Sequence, residues 1–403
     1  MIRKIAHRTI VCLLVSVGTL ALTSIAQGDQ AKTSASRGAN PSTKGPAGLA
    51  FYDPPGKQPK GHGRLIWSRR ITPETPVAGI RSTRLVLYTS TTPQGKKTAV
   101  SGYVSVPKGK PPKGGWPVIT WAHGTTGIAD TCAPSRGIVN GPPESFVRTW
   151  VAAGYAVAGT DYQGLGTPGI HPYLVGKAEG RSVLDIVRAA RQLDPSIGRR
   201  MLVTGVSQGG QSALFAASLA GRWTPDLRLR GTVSYAPGSH FAEQKDLLSA
   251  LTSPSPLSAV AAMILSGAIT TSPTIEPANI LTDPALALYP QVNRICLPAL
   301  SQPDSFGGLA PSTLIRDDAD TAELDTALEA MNPAVKIDGP ILLAQGSADS
   351  TAFPFYTDQL DGELEAKGDD VTYMTYPGVD HGGIVDAAEA DAMAFFESRL
   401  PSR

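Results

Sequence analysis

The chain has 403 residues, 41% of them hydrophobic and 17% charged, with 36 Lys and Arg against 34 Asp and Glu. A formal charge of +2 is too balanced for binding nucleic acid through its phosphates, and the apolar content excludes charge-driven disorder over the bulk of the chain. The 42 Gly and 34 Pro call for many turns between short elements, in a length that suits one large α/β domain with insertions or two ordinary domains.

At the N-terminus Arg3, Lys4 and Arg8 precede an apolar run over residues 10–22, and Ser24-Ile25-Ala26 sets small residues at the −3 and −1 positions of a cleavage site. These are the marks of a secretory signal over residues 1–26, cleaved near Ala26. A retained membrane anchor is the alternative, because residues 10–26 are almost long enough to span a bilayer. Export fits the cysteines. Cys12 leaves with the signal, and Cys132 and Cys296 remain to pair in an oxidising compartment. A bridge between them would close a loop worth about 5 kcal/mol on the chain-entropy model; two buried free thiols are the alternative. Residues 27–63, rich in Gly, Pro, Ser, Lys and Ala, read as a flexible segment.

Strand-like alternation over 84–88 and 99–106 flanks a turn at 91–97 and predicts an antiparallel hairpin near a sheet edge. Short apolar runs at 117–121, 155–159, 201–205, 231–235, 341–345 and 371–376 predict further strands. Being apolar on both faces, they belong in a sheet covered on both sides. Helical spacing over 145–153, 182–193, 208–222, 356–366 and 384–400 alternates with these runs, which predicts a mostly parallel sheet with helices on both faces. The alternation fails between 239 and 332, where only helix-like stretches such as 257–269 occur. The division expected is a core of 64–238 and 333–403 with a helical cap inserted at 239–332.

The segment around Gly205-Val206-Ser207-Gln208-Gly209 carries the chemistry. A serine can occupy a sharp strand-to-helix turn only where the residues two before and two after it lack bulk, and such a turn presents its hydroxyl at a helix N-terminus. A serine hydroxyl needs a base, and the base an orienting acid. In the α/β-hydrolase arrangement these follow in the order Ser, Asp or Glu, His. Asp349 stands at the end of the 341–345 run, and His381 follows the last strand in Pro377-Gly378-Val379-Asp380-His381. Asp380 is a rival orienter, but adjacent residues point apart. His240 precedes the acid, in the wrong topological place. For the oxyanion, one donor is expected from the N–H of Gln208. The second is expected from the loop Ala122-His123-Gly124-Thr125, with Thr125 first and Gly124 next; His123 reads as a structural brace. The scattered histidines offer no metal cluster, and no nucleotide-binding glycine motif follows a strand. No metal or other cofactor is expected.

The sequence resembles the secretory lipase family, the yeast lipase A-like members of the α/β-hydrolases, over most of its length from Phe51-Tyr52-Asp53-Pro54-Pro55 to the last helix. The most specific stretches are Gly159-Thr160-Asp161-Tyr162-Gln163-Gly164-Leu165-Gly166, His171-Pro172-Tyr173, the helix from Ser182 and Cys132-Ala133-Pro134-Ser135. The resemblance implies an α/β-hydrolase fold with a helical cap after the sixth core strand. It also implies a secreted, cofactor-free carboxylic ester hydrolase with Ser207, Asp349 and His381 as its triad, and Asp161 to Gly164 at the rim of the site. The expected partner is a small-molecule or lipid ester, acylglycerols included, with room for transient contact with lipid surfaces or the cell envelope and no role for nucleic acid. Unlike fungal members, which carry a flap beyond the histidine, this chain has only 382–403 there. A prolyl-oligopeptidase-type serine peptidase shares the Ser, Asp, His order, and an inactive hydrolase-fold binding protein is the non-enzyme alternative. Apolar cap residues such as Met263 and Leu265 are expected partly to line a channel for an acyl chain.

Overall fold

In the computed structural model, which describes residues 44–71, 78–138 and 145–402, nine strands form one sheet. In chain order they are β1 (Leu65–Ile71), β2 (Ile80–Thr91), β3 (Lys97–Pro107), β4 (Trp116–Ala122), β5 (Ala156–Thr160), β6 (Ile197–Val206), β7 (Arg228–Tyr235), β8 (Pro340–Gly346) and β9 (Asp370–Tyr376). Across the sheet the order is β1-β2-β3-β5-β4-β6-β7-β8-β9. The first three strands run antiparallel to their neighbours, and every pair from β5 to β9 is parallel. The fold is a mostly parallel α/β sheet wound with helices.

Packing explains why the central strands are apolar throughout: β4 and β5 are buried at every position. On one face Val147 and Trp150 of the helix Ser145–Ala152 and Phe396 of Glu389–Arg399 meet Ile119, Trp121 and Val157. On the other, Val183, Ile186 and Val187 of Gly176–Leu193 and Ala213 and Ala216 of Gln208–Trp223 meet Val118, Met201 and Val203. These last two helices approach so closely that a Cβ on Gly176 would lie 1.9 Å from Phe215 and one on Gly180 would lie 2.8 Å from the Ala216 nitrogen. The helix therefore starts a turn and a half before Ser182, through glycines whose low propensity hides it in the sequence.

The edge strand β1 is a second departure. Burial alternates only from Leu65 to Arg69, Ser68-Arg69-Arg70 dilutes the apolar signal, and the pairing with β2 shifts register between Leu65 and Trp67. The terminal helical stretch is two helices, Ile384–Ala387 and Glu389–Arg399. The signal read at 1–26 lies outside the described residues, as does 27–43. The remainder of the supposed flexible segment is not free: Phe51 and Tyr52 are buried. The Trp67 indole N–H donates to the Phe51 carbonyl at 3.0 Å, and the Tyr52 hydroxyl is 3.0 Å from that of Ser135. Two large aromatic side chains bury enough area to anchor a stretch of turn-forming composition.

Between β7 and β8 the chain forms the helices Phe241–Ser249, Leu257–Ile269, Pro277–Ile280, Asp283–Leu288, Leu297–Leu300 and Ala322–Glu329. They share a core of their own, with Met263, Leu265, Val292, Leu300 and Phe306 buried. Because β1 adds a strand, this block follows the seventh strand rather than the sixth. None of the helices among the described residues is long and apolar enough to cross a membrane.

Cys132 and Cys296 are bonded across a sequence separation of 164, which ties the segment after β4 to the helical block. Peptide mapping of exported protein without reduction should recover the linked pair. Replacing both cysteines by serine should lower stability by about 2–4 kcal/mol in a denaturant titration; a midpoint that does not move would show that the bridge constrains nothing.

Candidate active site

The turn after β6 is set by its glycines. Ser207 sits at φ 59°, ψ −118°, a region that side chains with a Cβ rarely adopt. A Cβ on Gly205 would lie 2.2 Å from the Gly209 carbonyl oxygen, and one on Gly209 only 1.9 Å from the Ala122 oxygen. Only glycine lets the turn come so near β4. The Ser207 N–H donates to the Tyr235 carbonyl at 2.9 Å, and the Gly238 N–H donates to the Ser207 carbonyl at 3.3 Å. The serine thus rides on a turn fastened to β7, at the first turn of the helix Gln208–Trp223, where the dipole favours negative charge.

Asp349 follows β8. Its Oδ1 accepts the N–H groups of Thr351 at 2.8 Å and Ala352 at 2.9 Å. Its Oδ2 accepts Gln345 Nε2 at 3.2 Å and His381 Nδ1 at 2.6 Å. Burial pushes the carboxyl up, but the His381 hydrogen bond and charge and the two backbone donors outweigh it, holding Asp349 below the usual carboxylate range. His381, in the loop after β9, keeps about a quarter of its side chain exposed, at 24%. With Nδ1 engaged, Nε2 is the nitrogen left for a hydroxyl. β6, β8 and β9 run parallel and end on one edge of the sheet, so the loops carrying Ser207, Asp349 and His381 share that edge. Asp380 instead accepts the Gly383 N–H at 2.9 Å. His240 is buried with Nδ1 2.9 Å from Ser239 Oγ and Nε2 3.1 Å from the partly exposed Glu363.

Gln208 begins its helix, where backbone N–H groups lack intrahelical acceptors. Gly124 lies beside the serine: a Cβ there would stand 3.7 Å from that of Ser207. Thr125 turns its hydroxyl to that of Tyr173, at 2.6 Å. His123 is buried with Nδ1 2.6 Å from the Gly124 carbonyl, and burial lowers its pKa to about 4. Asp161 and Tyr162, expected at the rim, are fully buried instead. Asp161 accepts Ser101 Oγ at 2.6 Å, the Ser135 N–H at 2.9 Å and the Ser135 hydroxyl, and the Tyr162 hydroxyl donates to the His123 carbonyl at 2.8 Å. They brace the site from beneath, because a carboxylate at a strand exit is satisfied there by buried hydroxyls.

Sequence reasoning missed Glu179. Fully buried on the helix Gly176–Leu193, it accepts the Leu174 N–H at 2.9 Å and Gln208 Nε2 at 2.7 Å, and it also bonds the Ser212 hydroxyl. Burial raises its pKa to about 7 against the pull of those three donors. In the sequence Glu179 falls before the helix expected over 182–193, and only the packing of Gly180 on Ala216 brings it inside.

Ser207 and Gln208 open into a cavity of about 400 Å3 whose far wall is the helical block, with Phe241, Leu257, Val260, Ile264 and Leu265 among its lining. Met263 is not on that wall; it is buried in the block's own core. On a helix of 3.6 residues per turn, Val260 and Ile264 share one face, and Met263 falls beside it.

Nine strands in this order and sense, with helices on both faces, define an α/β-hydrolase fold. Residues 135–297 match the family model of the secretory lipases, which makes the protein a carboxylic ester hydrolase. Among solved structures, the rice cell wall degrading esterase LipA from Xanthomonas oryzae aligns with TM-score 0.69 and 18% identity, over 84% of this chain and 98% of that one. Candida antarctica lipase A aligns with TM-score 0.69 and 20% identity, over 85% and 83%. A putative hydrolase from Legionella pneumophila aligns with TM-score 0.64 and 19% identity, over 79% and 90%. A search of curated protein sequences returns no match.

Proposed function

We propose that the protein is a secreted ester hydrolase acting through a Ser207–His381–Asp349 triad and an acyl-enzyme, on acylglycerols or other acyl esters. The observation that carries this reading is the 2.6 Å bond between His381 Nδ1 and Asp349 Oδ2, on the sheet edge where the strained Ser207 faces an apolar cavity. His381 Nε2 takes the Ser207 proton as Oγ adds to the ester carbonyl. The carbonyl electron pair moves onto oxygen, where the N–H of Gln208 and one from the Gly124–Thr125 loop receive it. Collapse expels the alcohol, which takes the proton from His381. Water, deprotonated by the same imidazole, then releases the acid and restores Ser207. Asp349 keeps the imidazole in the required tautomer and stabilises its charged form.

Three substrates and probes separate the readings. Turnover of p-nitrophenyl esters together with labelling by a fluorophosphonate supports an ester hydrolase. Cleavage of an aminoacyl-proline amide would favour a peptidase, and absence of labelling and turnover a binding protein. The cavity adds a chain-length expectation. Each CH2 buried is worth about 0.8 kcal/mol, so kcat/KM should rise from acetyl to at least octanoyl esters. Leu265→Trp, on the cavity wall, should lower the longer-chain rates selectively. Highest kcat/KM on acetyl esters, falling steadily with length, would show that the cavity does not take the acyl chain.

A further inference from the structure

Glu179 accepts hydrogen bonds from two segments that flank the expected oxyanion site, the turn at Gln208 and the segment at Leu174. On one side its Oε1 accepts Gln208 Nε2 at 2.7 Å, while the Ser212 hydroxyl, bonded to its other oxygen, also lies 2.9 Å from the Gln208 carbonyl. The residue after the nucleophile is therefore gripped at side chain and backbone. His171 completes this grip, with Nε2 2.9 Å from Gln208 Nε2, in a site where burial lowers the imidazole pKa to about 3 and so leaves it neutral to accept. On the other side Oε1 accepts the Leu174 N–H at 2.9 Å. Leu174 has φ 61°, a left-handed conformation that side chains with a Cβ rarely adopt. Its carbonyl is fixed in turn by Gln211 Nε2 at 2.8 Å. Holding Leu174 so sets Tyr173, whose hydroxyl meets that of Thr125 at 2.6 Å.

We propose that Glu179 is a positioning residue that aligns the two halves of the oxyanion hole, Gln208 directly and the Gly124–Thr125 loop through Leu174 and Tyr173. The inference rests on Ser207 being the nucleophile. A carboxylate that accepts from Gln208 on one side and from Leu174, the neighbour of Tyr173, on the other ties the spacing of the two halves to one rigid group, so donors carried on separate elements move together. Preorganisation of this kind is worth most where charge develops, and little in the ground state.

Three variants test it: Glu179→Leu, Glu179→Gln and Tyr173→Phe, with rates normalised to active sites titrated by a fluorophosphonate. Glu179→Leu removes the acceptor of the Leu174 N–H and one of the two acceptors that Gln208 Nε2 and the Ser212 hydroxyl each have. It should lower kcat about 100-fold with KM within about threefold, and weaken a trifluoromethyl ketone, which forms an oxyanion on Ser207, in parallel. Glu179→Gln keeps an oxygen for Leu174 and Gln208 and can donate to Ser212, so it should recover most of kcat. Tyr173→Phe removes only the hydroxyl that meets Thr125 and should lower kcat about tenfold at constant KM; it decides the matter alone if Glu179→Leu does not fold. Unchanged normalised kcat, a loss carried by KM, or Glu179→Gln as slow as Glu179→Leu would overturn the proposal. Wild-type protein that titrates no active serine would instead remove the reading of Ser207 on which it stands.

Discussion

Replacing Ser207 by alanine should lower kcat on p-nitrophenyl esters by about four to six orders of magnitude, the loss typical when a triad nucleophile is removed. The reason is that Ser207 supplies the bond that splits one hard displacement into two easier ones. What remains in the variant is the cavity and the backbone donors, which stabilise charge but offer no nucleophile to the ester. The fold should be unaffected: the strained φ of 59° is imposed by the bonds to Tyr235 and Gly238, and alanine suffers it no more than serine does. His381→Ala should cost a comparable factor, since the hydroxyl then lacks its base. Residual Ser207→Ala activity within about a hundredfold of wild type would contradict the assignment.

Gly209→Ala should be strongly destabilising. Its Cβ would stand 1.9 Å from the Ala122 oxygen and 2.7 Å from that of His123, backbone atoms that cannot swing aside as a side chain can. Relief requires β4 and β6 to part where they pair through Ala122 and Gly205, so a cost of about 3 kcal/mol or more is expected. Gly221→Ala provides the control. It lies in the same helix with nothing within 4 Å of the added methyl, and it should be neutral or stabilising by up to about 1 kcal/mol. Urea midpoints for the pair measure the difference directly; equal midpoints would show that the turn can relax at no cost.

The strands β4 to β8 were legible because burial on both faces left their central runs short and apolar; β9, at the other edge, is buried at no position. β1 was not legible, since a strand at the edge tolerates Arg69 and Arg70, which point to opposite faces of the sheet. The start of the helix at Gly176 was hidden for the opposite reason: close helix packing demands glycines that propensity counts against a helix. The site divides in the same way. Ser207, Asp349 and His381 stand out because their chemistry needs fixed neighbours in the chain and a fixed order. Glu179 does not, because its role exists only through contacts with Leu174, Gln208 and Ser212, which no local pattern records. Asp161 shows the reverse error: its surrounding motif is conspicuous in sequence, yet the carboxylate is buried under the site rather than exposed beside the substrate.

Locating the serine that reacts tests the central claim most directly. Wild-type protein treated with a fluorophosphonate, digested and mapped by mass spectrometry should carry one label, on the peptide containing Ser207. Heat denaturation before treatment, or His381→Ala, should abolish it. A label on another serine, such as the buried Ser239 beside His240, or ester turnover that continues with Ser207 unmodified, would contradict the account.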